Sequence, residues 1–227
     1  MATMADIKAL RQRTGAGILD CKKALTAAND DVDAAIDWLR QKGIAKAAKK
    51  SSRAATEGLV HAYIHSGGRV GVLVEVNCET DFVAMNDTFK SLVHDIAMHI
   101  AATGPDYVSR SDVPEDVIER ERKVQLARIE DEGGRPAKMP EDRWEMVLTK
   151  KMDGRMRKWF EDICLLEQKF IKDDDKTVEQ IMTDAVGTIG ENLRIRRFTK
   201  FTLGEGLEKR QDNLAEEVAK MAAAAGN

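Results

Sequence analysis

Apolar and polar residues alternate along the stretch GLVHAYIHSGGRVGVLVEVNC, on both sides of the turn sequence SGG at 66–68. Alternation with a period of two is typical of β-strands, and glycines between two such runs indicate a tight hairpin. The pattern therefore predicts antiparallel strands at 59–65 and 70–76. In the second run both the odd-numbered and the even-numbered positions are mostly apolar, which indicates a strand that is covered on both faces. A third alternating run predicts a strand at 193–203 that pairs with this hairpin.

Helical spacing of the apolar residues dominates the first 43 residues, with breaks at the dipeptides TG (14–15) and ND (29–30). Glycine tolerates turn dihedrals and Asx side chains cap helices, so this pattern predicts three short helices. So small a bundle has little core of its own and is more suited to docking than to catalysis. The following segment, IAKAAKKSSRAATEG, lacks an apolar stripe and is interpreted as a linker with some helical character.

A longer amphipathic helix follows the hairpin, because apolar residues recur at i, i+3, i+4, i+7, i+8 and i+11 from Phe89 onward. Asn86 or Asp87 can cap its start, and the dipeptide GP at 104–105 ends it. The segment NCETDFVAMND, at 77–87, is therefore predicted to be the corner between a central strand and this helix.

Dense charges over a thin apolar seam characterise the chain from residue 111, and the sequence GGRPAKMP separates two such helical stretches. This pattern predicts an antiparallel helical hairpin that projects from the body. Thr177 and Gln180 are in capping-box register for a further short helix, and the residues at 207–225 predict a C-terminal one.

These patterns together predict an α+β fold with a three-stranded antiparallel sheet packed on helices. The predicted organisation is a helical domain with a basic linker at 1–54, the hairpin, corner and core helix at 55–110, the helical hairpin at 111–172, the short helix and third strand at 173–204, and a C-terminal helical module at 205–227.

The composition is that of a globular protein, with 43% hydrophobic and 33% charged residues in a chain of 227. No window approaches the roughly 18 consecutive apolar residues that a membrane helix needs, so we expect a cytoplasmic protein without membrane contact. The cysteines, Cys21, Cys78 and Cys164, are far apart and form no CxxC pair, which favours buried thiols over disulfides or a zinc site.

Charge is distributed unevenly along the chain. Residues 1–53 carry eleven Lys and Arg against six Asp and no Glu, about +5, although the whole chain has a net charge of −3. A basic first quarter leaves open a ribosome-associated RNA-binding protein, with Lys46, Lys49, Lys50 and Arg53 facing phosphates. No aromatic residue interleaves these cations for stacking on bases, so a solvated linker is favoured and direct nucleic-acid binding is not expected.

Two long segments resemble the signature sequences of a known family. LRQRTGAGILDCKKAL, from Leu10 to Leu25, and VEVNCETDFVA, from Val74 to Ala84, closely resemble bacterial elongation factor Ts. The likeness continues through IAMHIAA and through IRRFTKFTLGEGLEK at 195–209, and it covers essentially the whole chain. It implies that the N-terminal helices form a UBA-like bundle that docks on the G domain of elongation factor Tu.

The resemblance implies a guanine nucleotide exchange factor that binds elongation factor Tu in its GDP-bound and nucleotide-free forms. In that family the segment matching Thr80, Asp81, Phe82 and Val83 enters the G domain of elongation factor Tu near the magnesium ion. Phe82 is thereby assigned the role of a wedge, and Asp81 that of a charge that disturbs the magnesium and phosphate site. Without the resemblance, Phe82 would be read as a core residue and Asp81 as a helix-capping or surface carboxylate.

Four more residues match positions through which the family contacts elongation factor Tu. Arg11, Ile18 and Leu19 match its N-terminal contact surface, and His99 matches a histidine that contacts elongation factor Tu. Ile18 can instead belong to the core of the bundle, and a lone histidine on a helix is often structural or merely exposed.

An enzyme is not expected. A catalytic or metal site could in principle be built from Glu75, Glu79 and Asp81 with His61, His65 or His99. Their spacings match no ligand motif, and the chain contains no P-loop, no GxSxG and no nucleotide-binding glycine fingerprint. We therefore expect neither a cofactor nor a metal ion.

The chain departs from the longer members of the family, which have two related sheet lobes. Here Val83 runs within a few residues into the helix that resembles IAMHIAA of the second lobe, so one lobe carries features of both. A three-stranded sheet has an exposed edge, which is a liability unless it is covered. We expect a homodimer whose two sheets combine, and the alternative is a monomer in which the hairpin or the C-terminal helix shields the edge.

Overall fold

The computed structural model describes residues 3–207 and shows an α+β protein, which confirms the predicted fold class. Its helices are α1 (Met4–Thr14), α2 (Ile18–Ala27), α3 (Val32–Lys50), α4 (Asp81–Met85), α5 (Asp87–Thr103), α6 (Glu115–Asp131), α7 (Glu141–Ile163) and α8 (Val178–Ile189). Its strands are β1 (Glu57–Ile64), β2 (Val70–Cys78), β3 (Lys169–Phe170), β4 (Asp173–Thr177) and β5 (Arg194–Thr202). The C-terminal helix predicted at 207–225 lies almost entirely outside the described residues.

The N-terminal helices are separated at the breaks that the sequence predicts. Gly15 ends α1 with a φ of 66°, and the side chain of Asp31 caps α3 by accepting hydrogen bonds from two backbone N–H groups. Their shared core is small, as expected, and its buried members are Ile7, Leu10, Cys21, Ala24, Leu25 and Ala35. The segment predicted to be a linker with some helical character is helical as far as Lys50, where α3 ends. Alanine and lysine are strong helix formers, and Ala47 packs against the main core.

The three-stranded sheet has the order β1-β2-β5 and is antiparallel throughout, so the predicted hairpin and the late third strand are confirmed. A register shift between Glu75 and Val76 interrupts the pairing of β2 with β5. Gly58 has a φ of 145°, and a Cβ there would lie 2.2 Å from the backbone oxygen of Val76. Only glycine lets β1 approach β2 so closely at this point.

The main core lies between one face of the sheet and helices α5 and α8. Its buried side chains include Val72, Val74 and Val76 of β2, Phe89, Val93, Ile96 and Ile100 of α5, and Val178, Met182 and Val186 of α8. The prediction that β2 is covered on both faces is wrong for the single chain, because Leu73 on its outer face is 47% exposed. Within residues 3–207 the helical layer covers the inner face of β2, and Leu73 on the outer face meets solvent.

Helices α6 and α7 occupy the region of the predicted helical hairpin, and they contact each other through Arg155, which binds Glu132 and Gln125. Their antiparallel, projecting arrangement stays a prediction. The short ladder of β3 and β4 was not predicted, because the run KDDDK lacks any apolar alternation. No helix within residues 3–207 is both long and apolar enough to cross a membrane.

Candidate protein-interaction site

The segment at 77–87 forms the predicted corner. Strand β2 ends at Cys78, and the hydroxyl of Thr80 then accepts a hydrogen bond from the N–H of Val83 and caps α4. Asn86 ends this five-residue helix and begins α5, where its side-chain oxygen lies 2.7 Å from the N–H of Thr88. Two caps within seven residues fix the direction of the chain at both ends of the corner.

The corner presents an aromatic ring to solvent. Phe82 is 81% exposed. Asp81, which precedes it, and Met85, which follows one helical turn later, are exposed as well. Val83 and Ala84 of the same helix pack against the main core. A ring that is held away from the core on a fixed backbone is suited to insertion into a pocket of another protein.

The corner is supported by the turn that joins α8 to β5. The carboxylate of Glu191 accepts hydrogen bonds from the N–H groups of Glu79 and Thr80, both at 3.0 Å, and from the Thr80 hydroxyl at 2.6 Å. In return, the carboxylate of Glu79 accepts the N–H of Asn192 at 2.7 Å. The sequence does not predict these contacts, since no local pattern relates residues more than 100 positions apart.

Charge and burial at the corner favour a fixed structure over reactivity. The Asn192 N–H, and after it Arg53, lower the pKa of the Glu79 carboxyl, so this group stays ionised and keeps its hydrogen bonds. Burial raises the pKa of the Cys78 thiol, which lies 3.1 Å from the carbonyl oxygen of Thr80. Cys78 is therefore a neutral packing residue rather than a nucleophile.

The predicted N-terminal contact residues lie on the small bundle. Leu19 is 72% exposed, Arg11 is exposed, and Ile18 is 50% exposed at the start of α2. Ile18 is therefore a surface residue, and Cys21 and Leu25 of the same helix supply the core instead. These three exposed side chains lie on helices that pack around the small N-terminal core, whereas the corner packs on the main core, so they form a second candidate contact surface.

His99 is fully buried and therefore exposes no side chain at either surface. Its Nδ1 accepts the N–H of Ile171 at 3.2 Å, so Nε2 carries the proton and donates to the side-chain oxygen of Gln168 at 3.0 Å. Burial lowers the pKa of His99, which keeps the ring neutral. This geometry supports the structural alternative for His99.

The comparison with known proteins agrees with the resemblance in sequence. The family model described as "Elongation factor TS" matches residues 28–205. The chain belongs to the elongation factor Ts family. It is 53% identical over 220 residues to an elongation factor Ts of Geobacter sulfurreducens, covering 97% of this chain and 98% of that protein. It is 55% identical over 219 residues to one of Carboxydothermus hydrogenoformans, covering 96% and 97%.

Membership of the elongation factor Ts family implies that the protein acts in translation, where the family promotes nucleotide exchange on elongation factor Tu. Two of the groups that could have formed a catalytic or metal site are engaged in other contacts. Glu75 pairs with Arg196 and Arg197, and His61 lies 3.1 Å from His94. No three His, Cys, Asp or Glu side chains within residues 3–207 are arranged to hold a metal ion.

Two cations of the basic segment bind the protein itself. The Lys50 ammonium donates to the backbone oxygen of Gly190, and Arg53 forms an ion pair of 3.4 Å with Glu79. These contacts hold the end of α3 against the turn that supports the corner. They occupy two of the side chains that the RNA-binding alternative requires for phosphates.

Proposed function

We propose that this protein binds elongation factor Tu in its GDP-bound and nucleotide-free forms and promotes GDP release with the corner Thr80–Val83. The observation that carries the proposal is the exposure of Phe82 on a backbone fixed at both ends. Because the ring has few rotamers to lose and a large apolar area to bury, it is a strong anchor in a partner's pocket.

Each residue of the corner has its own role in this mechanism. Phe82 inserts into the G domain, and the exposed Asp81 beside it brings a negative charge to the groups that hold the magnesium ion. Since that ion bridges the phosphates of the bound nucleotide, displacing it weakens GDP binding. Thr80 and Val83 hold the ring in position, one by capping α4 and the other by packing on the core.

The second contact surface is formed by Arg11, Ile18 and Leu19. Exposed apolar side chains at the start of α2 supply area for docking on the G domain, and Arg11 supplies charge. This surface adds affinity, whereas the corner acts on the nucleotide site. No bond is made or broken in this chain during exchange.

The mechanism is thermodynamic coupling between two ligands of elongation factor Tu. The exchange factor and GDP favour incompatible arrangements of the G domain, so each lowers the affinity of the other by the same factor. Four dissociation constants, for each ligand with and without the other, test this directly. A cycle that closes with strong antagonism supports the proposal, and binding of both ligands without antagonism contradicts it.

We further propose that two copies of the chain pair through the outer face of the sheet. Residues 64, 71 and 201 form one row across the sheet, in which Gly71 has no side chain and its neighbours Ile64 and Phe201 are exposed. Together with Leu73, this row makes one half of the outer face apolar, whereas Glu75 and Arg197 make the other half charged. A two-fold axis can place the apolar half of one copy against that of the other.

Light scattering of the free protein and of its nucleotide-free complex tests the dimer. The expected species are a dimer and an assembly of two factors with two molecules of elongation factor Tu. Phe201→Asp, at a position that is 65% exposed, is expected to dissociate the dimer without unfolding the chain. A wild-type monomer that forms a one-to-one complex with full exchange activity would show that one lobe suffices.

A further inference from the structure

The exposed ring of Phe82 is connected to the rest of the protein through Glu191. This carboxylate accepts hydrogen bonds from three donors, which belong to Glu79 and Thr80, the two residues before Asp81. One carboxylate oxygen accepts both N–H groups, and the other accepts the Thr80 hydroxyl. That hydroxyl also accepts the N–H of Val83 and so caps the first turn of α4, which means that Glu191 positions the start of the helix that carries the ring.

The hydrogen bonds of Glu191 lie just beyond the end of the pairing between β2 and β5. The last paired residues of β2 and β5 are Asn77 and Arg194, and beyond them no backbone hydrogen bond joins the two segments within the described residues. In its place Glu191 binds the backbone of Glu79, and Glu79 binds the backbone of Asn192. The two side chains thus extend the pairing of the strands to the corner. Charge-assisted hydrogen bonds of this kind are stronger than neutral ones.

The same turn also holds the N-terminal bundle. The side-chain amide of Asn192 donates to the backbone oxygen of Arg53 at 2.8 Å, and Lys50 donates to that of Gly190. One turn behind, α8 approaches α3 so closely that a Cβ at Gly187 would lie 3.1 Å from the Cα of Gly43. The turn at 190–192 therefore contacts two parts of the protein. One is the corner, and the other is the end of α3, a helix of the N-terminal bundle.

We propose that Glu191 is a positioning residue for nucleotide exchange, which holds the corner so that Phe82 is presented before the partner arrives. The inference rests on the proposed function of the corner. Without the carboxylate, the N–H groups of Glu79 and Thr80 lose their acceptor, and the backbone before Phe82 gains freedom. Ordering it on binding then costs affinity in the transition state for GDP release.

Two variants separate this role from the alternatives. In Glu191→Gln the amide oxygen can accept the two N–H groups while the amide NH₂ donates to the Thr80 hydroxyl, so the geometry is kept and the charge is lost. Glu191→Ala removes both. Glu167→Ala is the matched control, because it removes a carboxylate that binds Arg110 on another part of the core.

The experiment measures kcat and KM for GDP release from elongation factor Tu, thermal stability, and amide hydrogen exchange at Glu79 and Thr80. Glu191→Ala is expected to lose about tenfold in kcat/KM, the factor that corresponds to one lost charge-assisted hydrogen bond. It is also expected to lose amide protection at both positions. Glu191→Gln and Glu167→Ala are expected to stay within about threefold of the wild type. Combining Glu191→Ala with Phe82→Ala is expected to add little to the loss from Phe82→Ala alone.

Several results would overturn the inference. Unchanged amide protection in Glu191→Ala shows that the carboxylate does not hold the corner, whatever the protein does to elongation factor Tu. An equal loss of kcat/KM in Glu191→Gln with amide protection kept at Glu79 and Thr80 shows that the charge acts on the partner and not through the order of the corner. Losses that multiply in the double variant show that Glu191 acts independently of Phe82. If the wild type fails to release GDP, the proposed function fails, and the amide protection still reports whether Glu191 orders the corner.

Discussion

Phe82 and Val83 are neighbours in the chain but have opposite environments: the first is 81% exposed, and the second packs against the main core. Both residues belong to the short helix α4, and the side chains of consecutive helical residues point about 100° apart, so the two side chains face different surroundings. A side chain that contributes to partner binding thus lies next to one that contributes to folding, so a substitution of Phe82 is expected to affect binding and a substitution of Val83 is expected to affect stability.

Phe82→Ala is expected to weaken binding to nucleotide-free elongation factor Tu by about 2 kcal/mol, the usual threshold for an interface anchor, with the melting temperature unchanged. Val83→Ala is the control, and it is expected to lower the melting temperature more than it weakens binding by the folded protein. Thermal melts and equilibrium titrations check both. If Phe82→Ala melts much earlier and still binds normally, the ring is a core residue.

Leu19→Ala is expected to weaken the complex without destabilising the bundle, because the side chain is largely exposed. Leu25→Ala, in the same helix, removes a fully buried side chain and is expected to cost about 2–5 kcal/mol of folding free energy. Denaturant unfolding and titration with elongation factor Tu separate the two effects. Equal affinities for Leu19→Ala and the wild type would remove Leu19 from the interface.

The free energy of unfolding is expected to decrease as the pH falls below 6.5, the ordinary pKa of histidine. Burial lowers the pKa of His99 in the folded protein, so below pH 6.5 the unfolded chain binds more protons and is favoured. His61 adds to the same slope, because burial and then His94 lower its pKa. His99→Asn is expected to flatten the profile and to leave exchange by the folded protein intact. A marked loss of exchange without loss of stability would return His99 to the interface.

A second pH effect is expected from Glu75. Its hydrogen bonds with Arg196 and then Arg197 lower the pKa of the carboxyl from 4.5 to about 2. The stabilisation is complete above the ordinary pKa and is lost as the pH falls through 4.5 toward 2, when the folded carboxylate takes up its proton. Glu75→Gln is expected to reduce this slope in denaturant unfolding measured from pH 6 to pH 2. An identical slope in the variant would show that the pairing contributes nothing to stability.

The strands and the corner could be predicted because their signals are local. The alternating runs around 66–68 give the hairpin, and the Asn86 cap followed by apolar residues at helical spacing gives α5. The extent of α3 was underestimated, since its last turns carry no amphipathic stripe and are stabilised by Ala47 against the core. The periodicity of β2 likewise could not show that, within residues 3–207, no helix covers Leu73 on its outer face.

The support of the corner could not be predicted, because it depends on contacts between distant segments. Glu191 follows a helix-ending glycine and looks like an ordinary loop residue until the fold brings it to Thr80. His99 shows the converse: its match to a family contact residue suggested exposure, whereas Gln168 and Ile171 enclose it. Residue identity alone does not distinguish a buried histidine from an exposed one.

The most direct test of the account is the release of fluorescent GDP from elongation factor Tu by substoichiometric amounts of this protein, in the presence of excess unlabelled nucleotide. The wild type is expected to accelerate release over many turnovers, and Phe82→Ala to be much slower at the same concentration of folded protein. No acceleration by the wild type, or equal acceleration by Phe82→Ala, would contradict the claim that the exposed ring at the corner drives exchange.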